Sequence, residues 1–461
     1  MDYCVAALNE ASSSSCSNKF DFGACSATVW LLGRQYDLPR EGTDLIEDIK
    51  SRLWITYRRN FPPIDENTRY TTDRGFGCMI RCGQMVLANA LLCKSLTRDW
   101  RWSAGNLDAN PQAYLKILKL FQDREDCPYS IHKIVQTGQK HEGKGIGEWF
   151  GPNTIAQALK KLSSSYQREP NFDRELVISI DAALDNIVVI DEIKSKFGGD
   201  ERSSHTGDSE SHKHESYGSW IPGILFIQLR LGLTKINPLY FAALRKTFQF
   251  KNSLGIIGGR PNHALYLVGY TEDDIIYLDP HTTQQYVDLD ERSPSRGDPG
   301  QEVNVTSTCA KTTPNDPGQP YSQLEHLATG GEITTTTSSS SQGASSVSSS
   351  TTITSPSNQQ SLDETYHCSL PEKMSIDRLD PSLALCFYFN SEQEFDDWCA
   401  LSQELLVKSE QAPMFEITKS RPCDWSASLS SSTTRTVTKD RNNKSTTSSS
   451  SDHDEEFEIL T

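Results

Sequence analysis

The sequence has no long hydrophobic run. Its longest apolar stretches, such as Ala264–Tyr270, are far too short to cross a bilayer, and residues 1–9 lack the basic and apolar regions of a signal peptide. Apolar residues make up only 36% of the 461 residues, which predicts that part of the chain lies outside any core. The 12 scattered cysteines are typical of reduced thiols in the cytosol. We therefore expect a cytoplasmic protein without a transmembrane segment.

Positive charge is also in short supply. The chain carries 45 Lys and Arg residues against 61 Asp and Glu residues, which gives a formal net charge of -16. Nucleic acids and anionic lipids both bind cationic surfaces, so we expect no nucleic-acid partner and no adhesion to anionic lipid. A protein partner with a basic face would suit this charge better.

Four segments of low complexity or strongly polar composition are predicted to be disordered. They are residues 1–27, the loop 198–217, the Ser/Thr-rich insertion 291–362 and the tail 413–461. Such compositions cannot bury enough apolar area to offset the conformational entropy lost on folding, roughly 1–2 kcal/mol per residue. Residues 28–290 and 363–412 then form one domain that the insertion interrupts.

The rest of the chain alternates between helical and strand-like patterns. Helical spacing covers Gln112–Phe121 and Thr154–Leu162, with Asn153 as the expected N-cap of the second helix. Beyond the insertion, Ser391-Glu392-Gln393-Glu394 is a capping box that opens a further helix. This mixture predicts an α+β fold. Strands are expected at Leu176–Ile180, Ile187–Ile190, Ile224–Leu229, Ala264–Tyr270, Ile275–Leu278 and Ala384–Phe389.

A candidate nucleophile, Cys78, follows the glycines Gly75 and Gly77. Small or apolar residues then recur with helical spacing at Met79, Cys82, Val86, Ala90 and Cys93. This places Cys78 on the first turn of a buried helix, where the helix dipole favours the nucleophilic thiolate. The alternative is a buried structural cysteine, and the residues alone leave the two interpretations even. A zinc site is a poorer explanation, because Cys78 and Cys82 lack a second paired cluster.

A thiol protease also needs an imidazole as its base and a group that orients the imidazole. Asp279 and His281 stand two residues apart at the end of a predicted strand, where alternate residues of an extended chain point to the same face. Pro280 favours the extended conformation at Asp279. The alternative is that Asp-Pro ends the strand in a turn and that His281 is an incidental polar residue. For an Asp-Pro-His sequence taken at random, this alternative is the better explanation.

Several segments, in order along the chain, resemble the autophagins, the cysteine peptidases of autophagy. The resemblance covers residues 28–290 and about 364–406. It implies a papain-like α+β fold with a small auxiliary region, and an enzyme that uses no metal or other cofactor. It further implies cleavage after a C-terminal glycine of ubiquitin-like modifiers of the GABARAP type, both in precursors and in the form conjugated to phosphatidylethanolamine. The matching segments include Trp54–Pro62, Gly77–Met85, Gly147–Asn153, Gly255–Pro261 and Leu278–Gln284.

The resemblance also assigns roles to individual residues. Cys78 matches the nucleophile, His281 the base and Asp279 its orienter. Tyr57 matches a tyrosine of the oxyanion hole, where its hydroxyl would stabilise the developing negative charge. Trp149 matches the tryptophan that covers the substrate groove.

Other parts of the match concern substrate access. Gly259-Arg260-Pro261-Asn262 corresponds to a loop that lifts to admit the substrate tail. Two residues depart from the family pattern: Phe76 stands where Trp is common, and His263 stands where a smaller residue is common. At the acidic C-terminus, Phe457-Glu458-Ile459-Leu460 is similar to a motif that adds a strand to the modifier's sheet, filling two pockets with Phe457 and Leu460.

Two other functions are open at this point. The chain could be a peptidase for another ubiquitin-like modifier, which the same catalytic groups would serve. It could also be a noncatalytic adaptor that holds a modifier with its tail. The presence of Cys78, Asp279 and His281 argues against an adaptor, since a binding protein does not need them.

Overall fold

The computed structural model describes residues 28–65, 69–105, 110–183, 185–198, 220–290 and 361–421. Nearly all of the segments predicted to be disordered, and the motif Phe457–Leu460 with them, lie outside the described residues.

A large mixed sheet forms the centre of the described structure. Its strands are β1 (Thr28–Leu31), β2 (Arg34–Asp37), β4 (Ser179–Ala183), β6 (Gly223–Arg230), β7 (Ser253–Arg260), β8 (His263–Thr271), β9 (Asp274–Leu278), β11 (Glu372–Ser375) and β12 (Ser382–Phe389). They lie in the order β11-β9-β8-β7-β12-β6-β4, and β1 pairs with both β2 and β8. Neighbouring strands are antiparallel except β4 and β6, which are parallel. Two small sheets pair β3 (Arg58–Arg59) with β10 (Gln284–Gln285) and β5 (Ile187–Val189) with β13 (Glu416–Thr418).

Most predicted strands are confirmed, with ends that differ by one or two residues. The exception is Leu176–Ile180, where the chain first forms a short 3₁₀ helix, Arg174–Leu176. The side chain of Asp173 caps this turn by accepting a hydrogen bond from the backbone N–H of Glu175. Strand β4 therefore begins only at Ser179, because local capping prevails over the apolar run.

Helices cover both faces of the sheet. They are α1 (Leu38–Lys50), α2 (Cys78–Leu96), α3 (Gln112–Lys119), α4 (Ile131–His141), α5 (Pro152–Tyr166), α6 (Ile190–Phe197), α7 (Phe241–Thr247) and α8 (Glu392–Ser402). The predicted helices at α3, α5 and α8 are confirmed. None of the described helices combines the length and hydropathy that a membrane crossing requires.

Two helix caps show how the sequence sets these boundaries. Asn153 is not the N-cap of α5: Gly151 is, because Pro152 fits the first helical position and starts the helix earlier. At α8, the Ser391 hydroxyl accepts the expected hydrogen bond from the N–H of Glu394. The carboxylate of Glu394 accepts from the N–H of Asn390 at 3.0 Å, one residue before the position that a capping box predicts.

The sheet separates two cores, which we call the front layer and the back layer. Alternate residues of each strand face opposite layers, so that Tyr266 packs in the front and Leu267 in the back. Helices α1–α5 contribute to the front core and α6–α8 to the back core. The α+β class predicted from the sequence is confirmed.

The chain on either side of the insertion belongs to one sheet. Strand β12 follows the insertion and pairs with β6 and β7, which precede it. Order also continues past the expected boundary at residue 413, since Met414 and Phe415 are buried and β13 pairs with β5. The apolar pair Met414-Phe415 explains this difference, because it adds buried area to the back core.

Candidate active site

The helix α2 begins at Cys78 and is buried on all sides as far as Leu92. The loop before it is held by the backbone carbonyl of Asp73, which accepts hydrogen bonds from the N–H groups of Phe76 and Gly77 at 3.2 and 2.9 Å. A Cβ atom on Gly77 would lie 2.2 Å from a carboxylate oxygen of Asp73, so only glycine fits there. Cys78 is 2% exposed at the end of this tightly fixed loop.

Buried charges hold the loop and the helix together. The Arg81 guanidinium, one turn into α2, donates to Asp73 at 2.7 Å and to both carboxylate oxygens of Asp123 at 2.8 and 3.2 Å. Asp73 also accepts a hydrogen bond from the backbone N–H of Arg58 at 2.7 Å, next to Tyr57. One carboxylate thus links the segment of Tyr57 to the helix of Cys78.

Asp279 and His281 lie side by side, although not on an extended strand. Strand β9 ends at Leu278, and the two residues lie in the turn that follows. One oxygen of Asp279 accepts hydrogen bonds from the backbone N–H of His281 at 2.8 Å and from its ring Nδ1 at 2.6 Å. The aspartate side chain therefore stabilises the turn and orients the imidazole at once.

Four donors surround the sulfur of Cys78. Trp149 donates from Nε1 at 3.1 Å, and hydrogen bonds also come from His281, from the backbone N–H of Ala264 and from Tyr57. Burial by itself raises the pKa of this thiol, but these hydrogen bonds outweigh burial and lower it. The elements that meet here are α2, the loop before α5, the start of β8 and the turn after β9.

The imidazole of His281 is shifted in the complementary direction. Burial lowers its pKa, but hydrogen bonds with Asp279 and Cys78 dominate and raise the pKa of His281 to about 9. Burial raises the pKa of Asp279, and hydrogen bonds from His263 and His281 bring it below its usual range. The lowered pKa of Cys78 and the raised pKa of His281 favour a thiolate beside an imidazolium near neutral pH. This is the reactive state of a cysteine nucleophile.

Tyr57 is held by contacts with the turn that carries His281. Its backbone N–H donates to the carbonyl of Pro280 at 2.8 Å, and its ring meets the ring of His281 edge to face at 5.3 Å. Trp54, for which the sequence predicts no individual role, donates from Nε1 to the carbonyl of Asp279 at 2.7 Å. The signal for this contact is that the N–H of a partly buried indole usually finds an acceptor.

The segment Gly259-Arg260-Pro261-Asn262 is the end of β7 and its tight turn into β8. Arg260 pairs with His263, and Asn262 has a left-handed φ of 59°. The same turn leads directly to Ala264, whose N–H reaches the Cys78 sulfur. Trp149, 40% exposed, approaches that sulfur from another element, so the turn and the indole both contact the Cys78 sulfur.

His263, Asp279 and His281 form a possible metal site, the one such cluster within the described residues. The two imidazole rings stack face to face, with centroids 3.5 Å apart and an angle of 4° between their planes. A metal ion lies in the plane of the ring that binds it, and two parallel rings direct their lone pairs side by side instead of towards one point. The arrangement therefore suits hydrogen bonds to the carboxylate of Asp279 better than metal coordination.

Comparisons with known proteins give matches along most of the chain. The peptidase C54 catalytic domain matches residues 43–401. The chain is 36% identical to cysteine protease ATG4A of Gallus gallus over 453 residues, covering 96% of this chain and 99% of the relative. It is 36% identical to cysteine protease ATG4A of Homo sapiens over 447 residues, covering 94% and 93%. It is 37% identical to cysteine protease ATG4B of Xenopus laevis over 452 residues, covering 96% and 95%.

The fold and these matches define a cysteine peptidase with a papain-like α+β catalytic domain. More particularly, the chain belongs to the peptidase C54 family, with relatives of the ATG4 type along nearly its whole length. The resemblance to the autophagins and the predicted cysteine peptidase activity are confirmed. The alternative of a noncatalytic adaptor is not supported.

Proposed function

We propose that Cys78 is the nucleophile of this cysteine protease, His281 its general base and acid, and Asp279 the group that orients His281. The observation that carries this proposal is the set of donors around one sulfur, with His281 linking the sulfur to Asp279. Tyr57 stands at the same sulfur and is proposed to donate to the oxyanion of the tetrahedral intermediate.

The proposed reaction has two halves. The Cys78 thiolate adds to the carbonyl carbon of the scissile bond, and the His281 imidazolium protonates the leaving amine as the C–N bond breaks. A thioester to Cys78 remains. Water, deprotonated by His281, then adds to the thioester and the C–S bond breaks. The product leaves as a carboxylate, its acid proton passing to solvent, and the Cys78 thiolate is restored beside the His281 imidazolium.

The proposed substrates are ubiquitin-like modifiers of the Atg8 family, of the GABARAP type, cleaved after a C-terminal glycine. Precursor maturation and release of the modifier from phosphatidylethanolamine both break an amide bond at that glycine, so one site serves both. The indole of Trp149 and the turn Gly259–Asn262 support a narrow groove that admits glycine. We place this activity in the cytoplasm. Another ubiquitin-like modifier is the alternative substrate.

Other parts of the proposal concern the organisation of the chain. The limits of the peptidase domain, residues 28–290 and 363–412, stay a prediction, and β13 extends the ordered chain beyond the second limit. So does the lifting of the Gly259–Asn262 turn. The terminal motif with Phe457 and Leu460 is proposed to bind the modifier, and its position outside the described residues leaves it as a prediction from the sequence.

The test is a cleavage panel of ubiquitin-like precursors, each extended beyond its glycine. We expect Cys78→Ala to lose at least about 10³-fold in kcat for the Atg8-family precursor while still binding it. The matched control is Cys82→Ala, one turn along α2, where burial raises the pKa of an inert thiol. Cleavage by Cys78→Ala at the wild-type rate would refute the assignment. Preferential cleavage of another modifier would favour the alternative substrate.

A further inference from the structure

His263 is the first residue of β8 and lies directly after the turn Gly259–Asn262. Its ring stacks flat on the ring of His281, and its Nε2 lies 3.4 Å from the second carboxylate oxygen of Asp279. We propose that His263 is a positioning residue for the protease reaction, which fixes the plane of the His281 ring and the orientation of the Asp279 carboxylate. This inference rests on the roles proposed above for Cys78, His281 and Asp279.

The first part of the argument concerns the imidazole. The rings of Tyr57 and His281 meet edge to face at an interplanar angle of 79°, whereas His263 covers a face of the His281 ring at 4°. A ring held by a flat contact and an edge contact cannot turn without losing one of them. Rotation would move the ring nitrogen away from the Cys78 sulfur, and proton transfer needs that alignment.

The second part concerns the carboxylate. One oxygen of Asp279 already accepts two hydrogen bonds from His281, while the other oxygen is turned towards Nε2 of His263. A contact on the second oxygen opposes rotation of the carboxylate about the Cβ–Cγ bond of Asp279. The hydrogen bond from His263 also contributes to the lowered pKa of Asp279, so the contact favours the ionised form.

The backbone keeps His263 in register with the reaction centre. His263 pairs with Arg260 across the turn, and the next residue, Ala264, pairs with Gly259 and donates its N–H to the Cys78 sulfur. A Cβ on Gly259 would lie 2.1 Å from the carbonyl oxygen of His263, which shows how closely the two strands approach here. A smaller side chain at position 263 would leave the His281 ring face uncovered.

Three substitutions separate the two contacts. His263→Ser removes both the ring and the donor, His263→Phe keeps a ring without a donor, and His263→Gln keeps a donor without a ring. The control is His141→Ser at the exposed end of α4. For each full-length variant, kcat and KM are measured for precursor cleavage, together with the rate of Cys78 alkylation by iodoacetamide. Alkylation reports the thiolate without the modifier, and a thermal melt reports folding.

We expect His263→Ser to lower kcat and the alkylation rate by roughly tenfold, with KM within about twofold of wild type. Phe and Gln should each recover part of this loss, because each restores one contact. The inference is overturned if His263→Ser keeps the wild-type kcat and alkylation rate, or if KM alone changes in the three variants. If Cys78→Ala also cleaves, the proposed catalytic site fails instead, whatever the His263 variants do.

Discussion

The front and back layers of the sheet are built from different chemistry. The front core contains charged side chains that are at most 1% exposed: Asp48, Arg52, Asp73, Arg81 and Asp123. The back core combines aliphatic side chains with a cluster of aromatic rings in contact with one another: Phe387, Phe389, Phe395, Trp398 and Phe415. One further buried carboxylate, Asp181, lies on the edge strand β4, where it pairs with the partly exposed Lys160 and the exposed Lys196 and so stands apart from the front network.

This difference follows from what each layer must do. A buried ion pair offers little net stability over well-packed apolar side chains, but loss of one partner leaves a costly uncompensated charge. Such pairs therefore fix positions more than they add stability. In the front layer, Asp73 forms an ion pair with Arg81 of the Cys78 helix and accepts a hydrogen bond from the backbone N–H of Arg58, next to Tyr57. The back layer stabilises the sheet by burial of apolar area.

The largest effect on activity is expected in the front layer, for Asp279→Asn. Asp279 favours the protonated form of His281 and so raises its pKa, to about 9. An amide cannot do this, so the pKa of His281 should fall and the alkaline limb of the activity profile should move to lower pH. We expect kcat to drop by about 10³–10⁴-fold. The pH dependence of kcat/KM and of Cys78 alkylation measures both effects. An alkaline limb that stays near 9 would contradict this role.

The next effect is on stability. Arg81→Met leaves Asp73 and Asp123 buried without their cation, which should cost about 3–5 kcal/mol in the free energy of unfolding. The control is Arg245→Met, which breaks an ion pair with the exposed Asp273 and should cost at most about 1 kcal/mol. Denaturant unfolding measures both. Equal losses in the two variants would show that the front network does not fix the structure.

The smallest effect is expected in the back layer, for Trp398→Phe. Trp398 is 1% exposed, and its Nε1 has no hydrogen-bond partner among the described residues. Phenylalanine loses apolar area but removes this unsatisfied donor, so the free energy of unfolding should change by about 1 kcal/mol or less. Precursor cleavage should stay at the wild-type rate. A loss of cleavage with intact folding would show that the back layer also positions the site.

Local pattern predicted much of this molecule. Helices α3, α5 and α8 show helical spacing, because burial on one face imposes a period on the sequence. Strands β6, β8, β9 and β12 are predicted from short apolar runs, whereas β7 in the middle of the sheet is not predicted. The sequence predicts that Asp279 and His281 lie side by side because they are alternate residues of an extended strand. In the structure they do lie side by side, but hydrogen bonds of the Asp279 side chain in a turn bring them together. The predicted N-cap of α5, Asn153, is wrong by two residues, because Pro152 fits the first helical position and Gly151 becomes the N-cap.

The sequence by itself determined which groups are candidates for the site and the chemistry they allow: a thiol at a predicted helix start, and an imidazole and a carboxylate two residues apart. Only the tertiary structure decided which donors reach the sulfur, that His263 lies flat on His281, and that Asp73 links two parts of the site. The reason is physical: these contacts join residues far apart in the chain. Their geometry is set by how the sheet and its two layers pack, which local periodicity does not encode.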